Sequence, residues 1–361
     1  MINVLVVDDS AFMRKMISDI LEKDSRIKVV DRARNGEDAL KKIKLHNPDV
    51  ITLDVEMPIM DGLEALQIIM REYPKPVIMV SSTTKEGAAT TIRAMEYGAF
   101  DFIEKPSGSI SLDIYKVQTD LIDKVIYGAK VSITKLSTNH QKDPCKEAPI
   151  ISEVSNSFPV SYPFINSKKL SSKGIIAIGT STGGPKALQR ILSELPEDFP
   201  HPILIVQHMP IGFTKSLSER LNTLSKISVK EAENGEFVQR GVAYIAPGGY
   251  HLKVRRLGTA LVIVLDQSEQ INNHRPSVDA LFLSLSELPK QDVMAIILTG
   301  MGSDGKNGLL QLKKTTPTIA VAESNESAIV YGMPRAAIET NKVDIIVNIE
   351  QVASTIVRHC K

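Results

Sequence analysis

The sequence predicts an α/β protein built from two doubly wound parallel-sheet domains joined by a long linker. Three observations carry this expectation. Short, fully apolar runs alternate with stretches of helical period in both halves of the chain. The periodicity fails between residues 127 and 172, where Pro144, Pro149, Pro159 and Pro163 are interleaved with serines. A chain of 361 residues is also long for a single hydrophobic core. The expected organisation is a first domain over 1–126, a linker over 127–172 and a second domain over 173–361.

Composition narrows the classes. Hydrophobic residues at 43% and charged residues at 24% are ordinary for a globular protein. A net charge of +1 marks neither a nucleic-acid nor a membrane-surface partner. The longest apolar stretches have strand length, too short to span a bilayer. Met1 leads directly into a strand ending in two aspartates, which is no signal peptide. Cys145 and Cys360 have no metal or redox spacing. A cytoplasmic location without membrane insertion is expected.

In the first half, apolar runs at Val4–Val7, Val50–Leu53, Val77–Val80 and Phe102–Ile103 read as buried parallel strands. Helical stretches are expected at Ala11–Glu22, Gly36–Lys44, Gly62–Arg71, Thr90–Tyr97 and Ile110–Ile126. In an open parallel sheet the strand C-termini share one rim, and sites form there. That rim gathers Asp8 and Asp9, Asp54, Ser81 and Lys105. Carboxylates that close repel unless a cation joins them, and a hard divalent ion such as Mg²⁺ resolves the repulsion. Taken singly, each acidic residue also fits a helix cap or a solvated loop.

The motifs V-V-D-D-S, I-T-L-D-V-E-M-P followed by M-D-G, V-I-M-V-S-S and D-F-I-E-K-P resemble the receiver domain of bacterial response regulators, with a flavodoxin-like fold. The resemblance implies that Asp54 accepts a phosphoryl group from a histidine kinase, in two-component fashion. It implies that Asp8, Asp9 and Asp54 hold Mg²⁺ with the Glu56 carbonyl. It also implies that Ser81 and Lys105 contact the phosphoryl oxygens and that Phe102 moves with the switch.

The linker has one apolar cluster, Phe158, Tyr162 and Phe164, compatible with anchoring on a domain surface. Beyond it, strands are expected at Ile175–Ile178, Ile203–Gln207, Ile227–Lys230, Ala243–Ala246, Leu261–Leu265, Met294–Thr299, Ile319–Ala322 and Ile345–Val347. Helices are expected at Pro185–Leu195, Thr214–Leu224, Val278–Leu288, Lys306–Lys314, Pro334–Glu339 and Gln351–Arg358. Between Ala243 and Leu265 strands follow one another without helices, with Pro247-Gly248-Gly249 as turn signal. An antiparallel hairpin attached to the parallel sheet would explain this.

The second half opens with a strand, a glycine-rich turn from Gly179 to Gly184, and Pro185 at a helix start. A phosphate loop needs Gly-Lys-Ser/Thr after the turn, and here the residues are Gly-Gly-Pro-Lys. A dinucleotide site needs an acidic residue ending the next strand, and here that strand ends in Gln207-His208. The third reading is a nucleophile turn presenting Ser181, although the same serine also suits a helix cap. A serine nucleophile needs a base, itself oriented by a third group. His208 ends the next strand, and Asp304 lies in another glycine-rich turn after a very apolar strand. Three strand-end turns thus offer Ser, His and Asp, in a chain order unlike that of the α/β-hydrolases.

Ile178 to Gly184, Gln207 to Pro210, Ile245 to Gly249, His274 to Asp279 and Leu298 to Gly305 resemble the chemotaxis protein-glutamate methylesterase family. Thr180 departs from the alanine usual there. The resemblance implies hydrolysis of γ-glutamyl methyl esters on chemoreceptor helices, with deamidation of receptor glutamines. It implies Ser181 as nucleophile, His208 as base, Asp304 as its partner, and backbone N–H groups of Met301 and Thr182 at the oxyanion. No cofactor is expected in this half. Arg275 is a candidate for meeting the acidic receptor helices. Two rivals are a transcriptional response regulator and a phosphorylation-gated scaffold. A helix-turn-helix output needs far fewer than the ~190 residues after the linker and usually carries a basic stripe.

Overall fold

The computed structural model describes residues 1–82, 84–105, 113–136, 169–288 and 290–360. The linker aromatics Phe158, Tyr162 and Phe164, together with Cys145 and Pro106, lie outside the described residues.

The first half is a five-stranded parallel sheet of β1 (Ile2–Val7), β2 (Ile27–Ala33), β3 (Val50–Asp54), β4 (Val77–Ser81) and β5 (Asp101–Glu104), in the order β2-β1-β3-β4-β5. Helices α1 (Ala11–Leu21), α2 (Gly36–His46), α3 (Gly62–Glu72), α4 (Lys85–Glu96) and α5 (Asp113–Gly128) connect and follow the strands. Their starts are set by local chemistry. Ser10, Asn35, Asp61 and Thr84 each take up a backbone amide of the first turn of α1 to α4. Thr84 therefore starts α4 at Lys85, five residues before the expected Thr90. Strand β2 was not expected from the sequence. It lies at the sheet edge with a mixed burial pattern, so it lacks the continuous apolar run of β1 and β3.

A short helix α6 (Ile133–Leu136) follows α5. The second half centres on a seven-stranded parallel sheet. Its strands are β6 (Ile175–Thr180), β7 (Ile203–Gln207), β8 (Ser228–Glu231), β9 (Val242–Ile245), β12 (Val293–Ile297), β13 (Thr318–Glu323) and β14 (Ile345–Val347), in the order β14-β13-β12-β6-β7-β9-β8. An antiparallel hairpin is present, formed by β10 (His251–Leu257) and β11 (Ala260–Asp266). Its turn is at Gly258-Thr259; Pro247-Gly248-Gly249 instead breaks β9 from β10. Strand β9 has its partners in the main sheet, where it pairs in parallel with β7 and β8.

Helices α7 (Gly184–Glu194), α8 (Phe213–Leu224), α9 (Val278–Ser286), α10 (Lys306–Thr315), α11 (Met333–Ile338) and α12 (Ile349–Cys360) flank that sheet. Neighbouring strands β12, β6 and β7 end side by side, so the turns after them share one rim. No helix among the described residues is long and apolar enough to cross a membrane.

Candidate active site

The turn after β6 carries Ser181. Its amide donates to Thr299 O at 3.0 Å, and its carbonyl accepts from Gly184 N at 2.8 Å and Gln207 Nε2 at 2.9 Å. The turn is pinned on both sides by neighbouring strand ends. Gly183 stands at φ 80°, which a side chain disfavours. Gly300 is required by contact, since a Cβ there would sit 2.8 Å from Ser181 Cβ.

His208 follows β7 and is largely buried. Its Nε2 lies 2.8 Å from Asp304 Oδ2. A carboxylate only accepts, so Nε2 carries the hydrogen and Nδ1 keeps its lone pair. Nδ1 is buried and has no hydrogen-bond partner among the described residues. That is the nitrogen free to take a proton. The histidine ring stacks on His274 with centroids 3.8 Å apart and planes 15° from parallel.

Asp304 sits at the N-terminus of α9. It accepts from Ser277 Oγ at 2.8 Å, Val278 N at 2.6 Å, Asp279 N at 3.2 Å and Asn272 Nδ2 at 2.9 Å. Burial opposes ionisation of this carboxyl. The hydrogen bond and charge of His208, then Asn272 and the helix amides, outweigh burial and hold its pKa below the usual carboxylate range. Asp304 is therefore an anion able to orient His208 and to stabilise its protonated form. Among the described residues, the backbone amides of Thr182 and Met301 donate to no backbone carbonyl. Both residues line the crevice that also holds Ser181 and His208. Arg275 forms part of the crevice wall, and its Nη1 donates to the carbonyls of Gln267 and Ser268 at 2.8 and 2.9 Å.

The crevice has a volume of about 840 Å³, and the first half of the chain forms its other wall through Phe102, Asp120, Lys124 and Tyr127. Three contacts tie the halves together there. Thr182 Oγ1 donates to Asp101 Oδ2 on β5. Phe102 stacks on Phe213 of α8 at 4.6 Å. Arg220 of α8 makes a two-pronged ion pair with Glu96 of α4 at 2.6 and 2.9 Å. Lys124 packs half-buried against the same seam, 2.9 Å from Asp120, 3.6 Å from Asp101 and 2.6 Å from Phe102 O.

On the first sheet's rim, Asp8, Asp9 and Asp54 each offer an oxygen within 4.8 Å of the others. This is an oxygen-only, anionic donor set of the kind that suits Mg²⁺. Lys105 Nζ lies 2.8 Å from Asp54 Oδ2 and 3.3 Å from Asp8 Oδ2. Burial, with Asp8 nearby, pushes the Asp54 carboxyl up to about 6 against the pull of Lys105. Ser81 ends β4 one residue past Val80, the register partner of Asp54, and its carbonyl accepts from Lys105 N at 2.7 Å. The Glu56 amide lies 3.3 Å from Asp54 Oδ1. The structure thus brings all the expected rim residues together. Asp101, Lys124, Asn272 and the stacked ring of His274 were not singled out as site residues from sequence. His274 opens the His274–Asp279 motif; the other three carry no local signal, because each acts through a partner far away in the chain.

A receiver-type sheet clasped over a serine-hydrolase-like site defines a hydrolase under a phosphorylatable regulatory domain. Comparisons with known proteins make this specific. The receiver-domain family of response regulators matches residues 4–113, and the CheB methylesterase family matches residues 176–356. A Halalkalibacterium halodurans protein named protein-glutamate methylesterase/protein-glutamine glutaminase is 56% identical over 360 residues, covering 100% of this chain and 99% of that one. A Bacillus subtilis protein of the same name is 48% identical, covering 99% and 98%. The crystal structure of the Thermotoga maritima CheB methylesterase catalytic domain matches with a TM-score of 0.50 and 43% identity, covering 52% of this chain and 98% of that one. The chain belongs to the protein-glutamate methylesterase/protein-glutamine glutaminase family.

Proposed function

We propose that this protein is a phosphorylation-regulated hydrolase that demethylates γ-glutamyl methyl esters on chemoreceptors and deamidates receptor glutamines. The observation that carries the reading is the His208–Asp304 pair at 2.8 Å, with His208 Nδ1 left free, in the crevice that holds Ser181. Ser181 Oγ attacks the ester carbonyl and passes its proton to His208 Nδ1. Asp304 balances the imidazolium that forms. The Thr182 and Met301 amides face the developing oxyanion. His208 then returns the proton to the leaving methanol or ammonia, and water hydrolyses the acyl-enzyme with His208 again as base.

The domains are assigned as a receiver over 1–126, a linker over 127–172 and a catalytic domain over 173–361. In the receiver, Asp8, Asp9, Asp54 and the Glu56 carbonyl would hold Mg²⁺, which supplies charge neutralisation for phosphorylation of Asp54. Ser81 and Lys105 would contact the phosphoryl group. A histidine kinase is the phosphodonor, and the receptor helices are the substrate, with Arg275 at the crevice wall. The place of a DNA-binding output is taken by a seven-stranded parallel sheet that matches the methylesterase family.

The test is methanol release from methylated receptor fragments, with Mg²⁺ and a small-molecule phosphodonor. Ser181→Ala should lower turnover by about 10³-fold or more, and His208→Ala nearly as much, because a triad acts as a unit. Substantial residual turnover by a folded Ser181→Ala variant removes Ser181 from the mechanism.

A further inference from the structure

Residues Ile271 to His274 form a tight turn against the triad. Ile271 and His274 exchange both backbone hydrogen bonds, at 3.1 and 2.9 Å. The two residues between them, Asn272 and Asn273, stand at φ 53° and 65°. Two consecutive left-handed residues are what a type I′ turn requires, and asparagine accepts that conformation readily. The turn delivers two side chains to the site. His274 is laid on the His208 ring. Asn272 Nδ2 reaches Asp304 Oδ1 at 2.9 Å and Asp279 Oδ2 at 3.0 Å.

We infer that Asn272 is a positioning residue for the hydrolysis, its side-chain amide fixing the Asp304 carboxylate so that Oδ2 faces His208 Nε2. The inference rests on the hydrolase reading above. Asp304 is held on both oxygens: Ser277 Oγ and Asn272 on Oδ1, His208 and Val278 N on Oδ2. Asp279 is a second buried carboxylate beside it, its pKa raised by burial and by the charge of Asp304. Two buried carboxylates repel. The Asn272 amide donates to both and lies between them, so its removal takes a donor from Asp304 and exposes it to Asp279 directly. His274 completes the support from the same turn. Burial, with the His208 charge adding, pushes its pKa down to about 3, so its ring is an uncharged face against His208.

A residue that only shapes the turn behaves differently from one that holds the carboxylate. Glycine adopts positive φ without strain, so Asn272→Gly keeps the turn and deletes the amide. Asn272→Asp keeps size and left-handed tolerance but replaces donors with an acceptor. The groups facing position 272 are the carboxylates of Asp279 and Asp304, with the rings of His208 and His274 beyond them. The experiment uses the full-length protein with Mg²⁺, a small-molecule phosphodonor and methylated receptor fragments, and reads methanol. Asn272→Gly should lower kcat by about 10- to 100-fold, the size of a lost hydrogen bond to a charged group, with KM within about twofold. Asn272→Asp should lower kcat further at pH 8. Relative to wild type at the same pH, it should recover about tenfold by pH 5.5, because burial between the Asp279 and Asp304 carboxylates raises the new carboxyl above the usual range, so that it takes up a proton and donates again.

Wild-type kcat in Asn272→Gly overturns the inference. A loss in Asn272→Asp that keeps the same ratio to wild type at every pH also overturns it, since a distorted turn has no reason to mend on acidification. Thermal unfolding of each full-length variant, together with its near-wild-type KM, reports that the catalytic half is folded. No methanol from wild type would overturn the esterase reading and this inference together, whereas equal turnover by wild type and Asn272→Gly overturns this inference alone.

Discussion

Asp101 makes the most direct test of how the receiver controls the catalytic half. It lies on β5, buried, and its carboxylate accepts from Thr182 Oγ1, the residue after Ser181. The same carboxylate accepts from Phe102 N at 2.7 Å and faces Lys124 Nζ at 3.6 Å. Of these Asp101 contacts, the Thr182 bond is the one that crosses between the halves, so it is the one lost when they part. A hydrogen bond to a charged group contributes about 1.5–3 kcal/mol, which is roughly 10- to 150-fold in the closed-to-open ratio. Asp101→Ala also strips half-buried Lys124 of one counter-charge, a cost borne mainly by the closed state, where water replaces it poorly. Where turnover without phosphodonor is limited by the open fraction, Asp101→Ala should raise it by about 10- to 100-fold. Asp101→Asn retains an acceptor of the same shape and should raise it less. Phosphorylated Asp101→Ala should be no faster than phosphorylated wild type, because the substitution shifts an equilibrium and leaves the triad alone. The assay is methanol release from methylated receptor fragments, with and without phosphodonor. An unchanged basal rate in a variant that still phosphorylates at Asp54 refutes the Asp101–Thr182 bond as a latch that holds the receiver against the crevice. A rate above that of the phosphorylated wild type refutes the argument that closure is all it affects.

The Arg220–Glu96 pair crosses the same interface but is partly exposed, so Glu96→Ala should raise basal turnover only about two- to fivefold. Exchanging the charges, with Glu96→Arg and Arg220→Glu together, should restore the low basal rate where either single change does not. Chelating Mg²⁺ should abolish activation by phosphodonor while leaving basal methanol release unchanged, since the carboxylate cluster that suits the ion is in the receiver. Glu323 gives a stability test. It accepts from Thr299 N at 2.8 Å behind the Ser181 turn, and burial raises its carboxyl from 4.5 to about 7. The folded state then holds the proton more tightly than the unfolded chain, so this group's contribution to stability is present below pH 4.5 and is lost as pH rises towards 7. Glu323→Gln should flatten the fall in Tm between about pH 5 and 7, measured by thermal unfolding at constant ionic strength, and an unchanged slope would count against the assignment.

The parts legible in the sequence are those with a local signature. Val4–Val7, Val50–Leu53 and Val77–Val80 are buried on both sheet faces, so their apolar runs are continuous and their polar ends mark the rim. Strand β2 is an edge strand whose exposed Lys28 and Arg32 break that pattern. Ser181, His208 and Asp304 were legible for the same reason as Asp54: each ends a buried strand or sits in the turn after it. Asn272 and Asp101 were not, because their meaning lies in contacts 32 and 81 residues away, with Asp304 and Thr182.

Strand β5 shows what such contacts add. Lys105, one residue past its end, bonds Asp54, while Asp101 at its start holds Thr182 and Phe102 beside it stacks on Phe213. Four residues of extended chain span roughly 13 Å. The phosphoryl site and the nucleophile turn are therefore joined by a single strand. A shift of Lys105 towards a phosphoryl group on Asp54 would act on the Asp101–Thr182 bond through covalent geometry, with no longer relay through the receiver core needed. On this reasoning, substitutions in β5 should uncouple phosphorylation from turnover, whereas substitutions at the far edge, in β2, should change stability and leave the coupling intact.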